Sequence, residues 1–218
     1  SSRVDHAGIS QMGQVRALSV FEETTIKNTP NHPADNLSHL ERTADANDSY
    51  KPRMVDVGGK AASRRTAHAR ALIRLPQNVA DALVPASGNL ADVAGPKGAV
   101  FTTAIIAGVT GAKKTSELIP FCHPIGLDVC DVGIQMLEGD GGHDERIDTT
   151  NGRIVQVDCK VAVTGKTGVE MEALTGCSVA ALCIYDMLKA LSHDIILEET
   201  KLMSKTGGKR HFERPSLT

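Results

Sequence analysis

Asp186 and Lys189 stand three residues apart in the run Ile184-Tyr185-Asp186-Met187-Leu188-Lys189, close to the end of a long segment free of proline. In a helix that spacing puts both side chains on one face. There they form one of two things. One is an exposed ion pair, worth a fraction of a kcal/mol. The other is an acid–base couple, whose mutual field lowers the carboxylic acid's pKa and raises the amine's. Position alone slightly favours the ion pair.

Other polar clusters interrupt apolar or strand-like sequence. Lys97-Gly98 precedes a helical stretch, where an ammonium and backbone N–H groups can meet an anion; alone the signal is weak. In Pro120-Phe121-Cys122-His123-Pro124 the flanking prolines hold Cys122 and His123 in a fixed, non-helical turn. No further ligand stands at metal-binding spacing, and Cys–His nucleophilic partners are normally distant in sequence. An isolated His is more often a structural hydrogen-bonder, yet its pKa near neutrality suits a phosphate ligand or proton carrier. Gly165-Lys166-Thr167 has the form of the end of a P-loop, but Lys160 occupies the place of the required earlier glycine, which excludes that loop. Thr167 and Glu170 read as a capping box, and Glu172, inside the helix, is free to face a ligand. Lys205-Thr206-Gly207-Gly208-Lys209 is a glycine-rich turn between lysines, readable as an anion nest or as a solvated tail.

The elements that carry these residues follow from periodicity. Thr66 to Leu75 reads as a strand ending at Pro76. Gln77 to Val84 reads as a short helix, Pro85 to Gly98 as a loop, and Val100 to Ile119 as a helix stopped by Pro120. Ala104, Ala107, Gly108, Gly111 and Ala112 are small enough to let another backbone approach that helix. Cys130 to Met136 and Val155 to Val163 alternate with period two, so each strand buries one face. Gly139 to Gly152 is their hairpin loop. Met171 to Leu191 is the strongest helix, nearly apolar from Val179 to Ile184, hence buried in the domain or between subunits. Ile195 to Met203 is a last strand. This order predicts an α+β fold: a ferredoxin-like layer, mainly antiparallel, with helices packed on one face. Residues 1–36 read as a loosely ordered arm or linker, and 37–218 as the folded α+β domain.

Composition narrows the function classes. The chain has 218 residues with 41% hydrophobic, 23% charged and only 3% aromatic, and no Trp. It therefore lacks the stacking platform of single-stranded nucleic-acid binders. A formal net charge of -2 gives no field to recruit nucleic acid or anionic membrane, so any anion site is a local cluster. The five cysteines form no C-x-x-C, which argues for a reducing interior without a disulfide framework or structural zinc. No run of eighteen uncharged apolar residues is present, so no membrane span is expected. The chain begins at Ser1 rather than Met, and the expectation is a trimmed sequence.

Taken together, Met54-Val55-Asp56-Val57, Lys97-Gly98, Leu118 to Pro124, Gly165 to Thr175, Tyr185 to Lys189 and Lys205 to Lys209 resemble, in order, the cyclic pyranopterin monophosphate synthases of molybdenum-cofactor biosynthesis. The likeness covers about Leu37 to Phe212. Phe121 stands where the family usually has Leu, Leu188 where it often has Cys, and the stretches 85–94 and 139–151 look longer than in compact members. The resemblance implies conversion of 3',8-cyclo-7,8-dihydro-GTP to cyclic pyranopterin monophosphate with loss of pyrophosphate. It also implies a general acid–base pair, Asp186 and Lys189. Lys97, His123 and Lys205 become triphosphate and substrate contacts; Phe121, Cys122, Met171 and Glu172 line the substrate. It implies a homo-oligomer, a hexamer, with the site at a subunit interface; no cofactor and no metal ligand is assigned. The implied setting is intracellular and soluble, cytoplasmic in a bacterium and the mitochondrial matrix in a eukaryote. The rival reading is a non-catalytic pterin or nucleotide binder, which could dispense with Asp186 or Lys189.

Overall fold

A computed structural model describes residues 39–42, 50–83, 94–95, 98–137 and 152–215. The expected arm, 1–36, lies outside them, as do Lys97, most of the 85–98 loop and residues 139–151. The chain divides into two compact units, Ser1–Arg53 and Met54–Thr218. In the first, β1 (Leu40–Arg42) pairs antiparallel with β2 (Tyr50–Pro52).

The second unit runs β3 (Ser63–Leu75), α1 (Gln77–Leu83), β4 (Ala94–Gly95), β5 (Gly98–Ala99), α2 (Val100–Lys113), α3 (Thr115–Leu118), β6 (Val129–Leu137), β7 (Arg153–Gly165), α4 (Glu170–Leu188), β8 (Ile196–Thr206) and β9 (Phe212–Glu213). Its sheet has the order β6-β7-β3-β8-β9, with every pairing antiparallel. The long elements β3, α2, β6, β7, α4 and β8 follow the β-α-β-β-α-β order of the split βαβ arrangement. The α+β expectation holds.

Alternation decides which face of the sheet the helices cover. Ala67, Ala69, Ala71, Ile73 and Leu75 of β3, with Val155, Val157, Cys159, Val161 and Val163 of β7, are all buried. Against them α4 lays Ala173, Cys177, Ala180, Ala181, Ile184 and Leu188, the helical i, i+4, i+7 spacing. By length and mean hydropathy, 1.3 over its apolar window, α4 passes for a membrane span. Half of that window is buried inside the unit, as in a core helix.

The small residues of α2 have a packing role. A Cβ added to Gly108 would stand 3.0 Å from the carbonyl oxygen of Gly176 on α4, and one added to Gly111 would stand 2.7 Å from the Val179 side chain. The two helices touch because neither position carries a side chain.

Some boundaries differ from the expected ones. The first long helix does not run to Ile119: Lys114 leaves helical geometry (φ -103, ψ 12) and α3 is a separate turn. α4 ends at Leu188 rather than Leu191, with Lys189 as its cap. β3 begins three residues before Thr66, because Ser63–Arg65 pair with Val163–Gly165.

Candidate active site

Two polar groups lie at opposite ends of α4. At its C-terminal end, Lys189 Nζ meets Asp186 Oδ1 at 2.6 Å, with Asp186 55% and Lys189 46% exposed. The carboxylate, by hydrogen bond and by charge, raises the Lys189 pKa above its ordinary value. The pair borders an open depression of about 390 Å³, which Ala190, Leu191, Ser192 and His193 complete. His193, a titratable neighbour of the pair, had no signal in the sequence pattern. Such a site can deliver and remove protons at a ligand seated in the depression.

At the N-terminal end, Glu170 and Glu172 lie in the first turn. The capping box is absent: the cap is Val169, without a side-chain cap bond, and Glu170 Oε1 instead accepts from Lys205 Nζ at 2.5 Å. An ammonium from β8 offers a charged partner, which a capped backbone amide is not. Gly168 makes room for this carboxylate, since a Cβ there would fall 1.9 Å from Glu170 Oε2. Glu172 is only 4% exposed. Burial, aided by the negative Glu170 and opposed by a bond to its own backbone N–H, lifts its pKa to about 7. Burial, and the charge of Glu172 nearby, also push the Cys122 thiol up. Met171 and Phe121 are exposed beside these groups in sequence.

His123 is not free on both ring nitrogens. Its Nε2 donates to the Val55 carbonyl at 2.8 Å, which fixes the tautomer and leaves Nδ1 for a ligand. Lys166 Nζ donates to Gly58 O at 2.7 Å, and Asp56 Oδ1 accepts from the Gly58 amide at 2.7 Å. The motif Met54-Val55-Asp56-Val57 is thus tied to the two loops that carry His123 and Lys166.

The structure therefore groups Cys122, Glu172 and Glu170 with Lys205, and separately Asp186 with Lys189. It does not bring the two groups together. From Glu172 to Asp186 is about 21 Å along the helix axis at 1.5 Å per residue. Lys97 is not among the described residues. No cluster of metal-ligating side chains occurs among those that are.

An α+β layer with a carboxylate–ammonium pair beside a depression, and a separate group in which one cation, Lys205, stands with Glu170 and the buried Glu172, has groups that an enzyme acting on an anionic small molecule can use. Residues 54–208 match the MoaC family, and the chain belongs to it. Among its relatives, the cyclic pyranopterin monophosphate synthase of Xanthomonas axonopodis pv. citri is 45% identical over 174 residues, 80% of this chain and 91% of that protein. The protein of the same name from Novosphingobium aromaticivorans is 42% identical over 175 residues, 94% of its length. Molybdenum cofactor biosynthesis protein 1 of Dictyostelium discoideum is 43% identical over 184 residues, and there the match spans only 26% of the longer protein.

Proposed function

We propose that this chain converts 3',8-cyclo-7,8-dihydro-GTP to cyclic pyranopterin monophosphate, releasing pyrophosphate in an early step of molybdenum-cofactor biosynthesis. One observation carries the reading: in a chain of the MoaC family, Asp186 and Lys189 are in contact at 2.6 Å beside an open depression. Opening and rebuilding a purine needs protons moved at several ring atoms, and a paired carboxylate and ammonium supply both directions of transfer. The triphosphate, whose negative charge grows on the leaving pyrophosphate, is assigned to Lys205 and Lys97. His123 offers its Nδ1 to the substrate. Cys122, Met171, Phe121 and Glu172 line the base. No metal or cofactor enters this scheme.

The residues that line the base and the pair that transfers protons must act on the same rings. In one chain they are about 21 Å apart along α4, so the site needs α4 from two copies. Exposed apolar side chains on two helices support such an assembly: Leu182 of α4 is 56% and Ile106 of α2 62% exposed. The assembly is a homo-oligomer, a hexamer, with each site at a subunit interface.

Incubation with the cyclised GTP derivative, followed by mass spectrometry for the cyclic phosphate and pyrophosphate, tests the activity. Both products appear if the reading is right. Binding without turnover would make the chain a pterin or nucleotide binder.

A further inference from the structure

The lysine of Gly165-Lys166-Thr167, which in a P-loop would reach a phosphate, is turned onto a backbone carbonyl. Lys166 follows Gly165, the last residue of β7, which pairs with Ser63 of β3, so the sheet anchors its backbone. From there its Nζ donates to the Gly58 carbonyl at 2.7 Å, across 108 residues. Neither this lysine nor the Met54-Val55-Asp56-Val57 motif has a part in the chemistry proposed above.

Gly58 is held from both sides. Its amide N–H donates to Asp56 Oδ1 at 2.7 Å, while its carbonyl accepts from Lys166. Glycine suits the turn, since a Cβ there would stand 3.1 Å from the same carboxylate oxygen. The Lys60 N–H donates to the Val57 carbonyl at 3.1 Å and closes it. These bonds fix Asp56, and the peptide unit that joins Val55 to Asp56 carries the carbonyl that accepts from His123 Nε2 at 2.8 Å. A continuous path of hydrogen bonds and backbone thus runs from Lys166 through Gly58 and Asp56 to the His123 ring.

The state of that ring depends on the carbonyl. A carbonyl oxygen only accepts, so the nitrogen facing it must carry hydrogen, and in a neutral imidazole the other nitrogen is then the acceptor. With the Val55 carbonyl displaced, either nitrogen can hold the proton, and Nδ1 presents a donor part of the time. We propose that Lys166 is a positioning residue of this site: it locks the Gly58 turn so that the Val55 carbonyl keeps the His123 proton on Nε2. This rests on the reading that His123 meets the substrate through Nδ1, and it adds the support that sets which nitrogen is free to do so.

The test is the nitrogen NMR spectrum of the full chain, isotope-labelled at histidine, without substrate and at a pH where the ring is neutral. His123→Gln identifies the His123 signals. The parent shows one tautomer, protonated at Nε2. Lys166→Met shows a mixture of both, and so does Asp56→Ala, which releases the Gly58 N–H. Lys166→Arg, which can still reach the carbonyl, returns the parent spectrum. In turnover of the cyclised GTP derivative, Lys166→Met lowers kcat/KM by about 10- to 100-fold, the scale of a displaced reacting group, and Lys166→Arg recovers most of it. Thermal melts stay near the parent's, because the Lys166 bond is exposed. The proposal is overturned by a parent that already holds a mixture, or by an unchanged His123 tautomer in Lys166→Met. An unchanged tautomer with lost turnover would make Lys166 a direct ligand of the substrate instead. Should Lys166→Met not fold, Asp56→Ala decides by the same spectrum. The spectra need no substrate, so they decide the role of Lys166 whether or not the chain transforms the cyclised GTP derivative.

Discussion

Glu172 is buried in the first turn of α4, while Asp186 stands half exposed in its last, on the same helix and about 21 Å away along the axis. One rigid helix thus carries two polar groups that a single ring system cannot touch together.

Subunit complementation follows. Asp186→Asn and Lys205→Ala chains, each nearly inactive alone, should regain activity when unfolded together and reassembled, because some interfaces then combine an intact half from each. Activity of the mixture no greater than the sum of the separate variants would place both halves in one chain. Light scattering on the parent should return an oligomer at micromolar concentration.

Glu172 should leave a mark on stability. Its folded pKa of about 7 lies above its ordinary 4.5, so between those values the folded state holds more of the proton than the unfolded chain does. Its favourable contribution is complete below about pH 4.5 and declines as pH rises to 7. At roughly 1.4 kcal/mol per unit the loss is about 3 kcal/mol at most. Glu172→Gln should flatten that part of the stability–pH curve, read by denaturant melts, and raise stability at pH 8. A slope that survives the substitution would belong to another group.

The α2–α4 contact predicts a destabilised variant far from the chemistry. A methyl group at Gly176 would meet Cys159 Sγ at 2.6 Å and the Gly108 carbonyl oxygen at 3.3 Å. Gly176→Ala should therefore lower stability by about 1–3 kcal/mol, the cost of overpacking a filled core, despite the better helix propensity of Ala. A melt unchanged or raised would mean that α4 can shift away from Cys159 of β7 and from α2 to absorb the methyl.

What the sequence made legible was local. The pairing of Asp186 with Lys189 is an i, i+3 contact, readable from spacing once a helix is assumed, and the strand alternation of Val155 to Val163 reports one buried face directly. Long-range partners left no such trace. Glu170 was expected to cap its own helix through Thr167, but Lys205, 35 residues on, claims it instead. The bond from His123 to the Val55 carbonyl crosses 68 residues and shows in no motif spacing. The breaks at Lys114 and Leu188 fall inside runs whose composition continues to favour helix.

The Asp186–Lys189 contact decides between enzyme and binder. Both side chains are about half exposed, so as an ion pair screened by water they would add little to the stability of the fold. As an acid–base couple they act at the chemical step. Asp186→Asn and Lys189→Ala should each cut turnover by roughly 10²–10⁴-fold. Binding should suffer far less for Asp186→Asn, since removing a negative charge cannot weaken attraction to a triphosphate. The double variant should be little worse than either single one, because groups that act as a unit are not additive. Single-turnover rates of the three variants, with melts to confirm that each is folded, separate the readings. Near-parental rates for Asp186→Asn would remove the pair from the mechanism and leave a site that binds its ligand without transforming it.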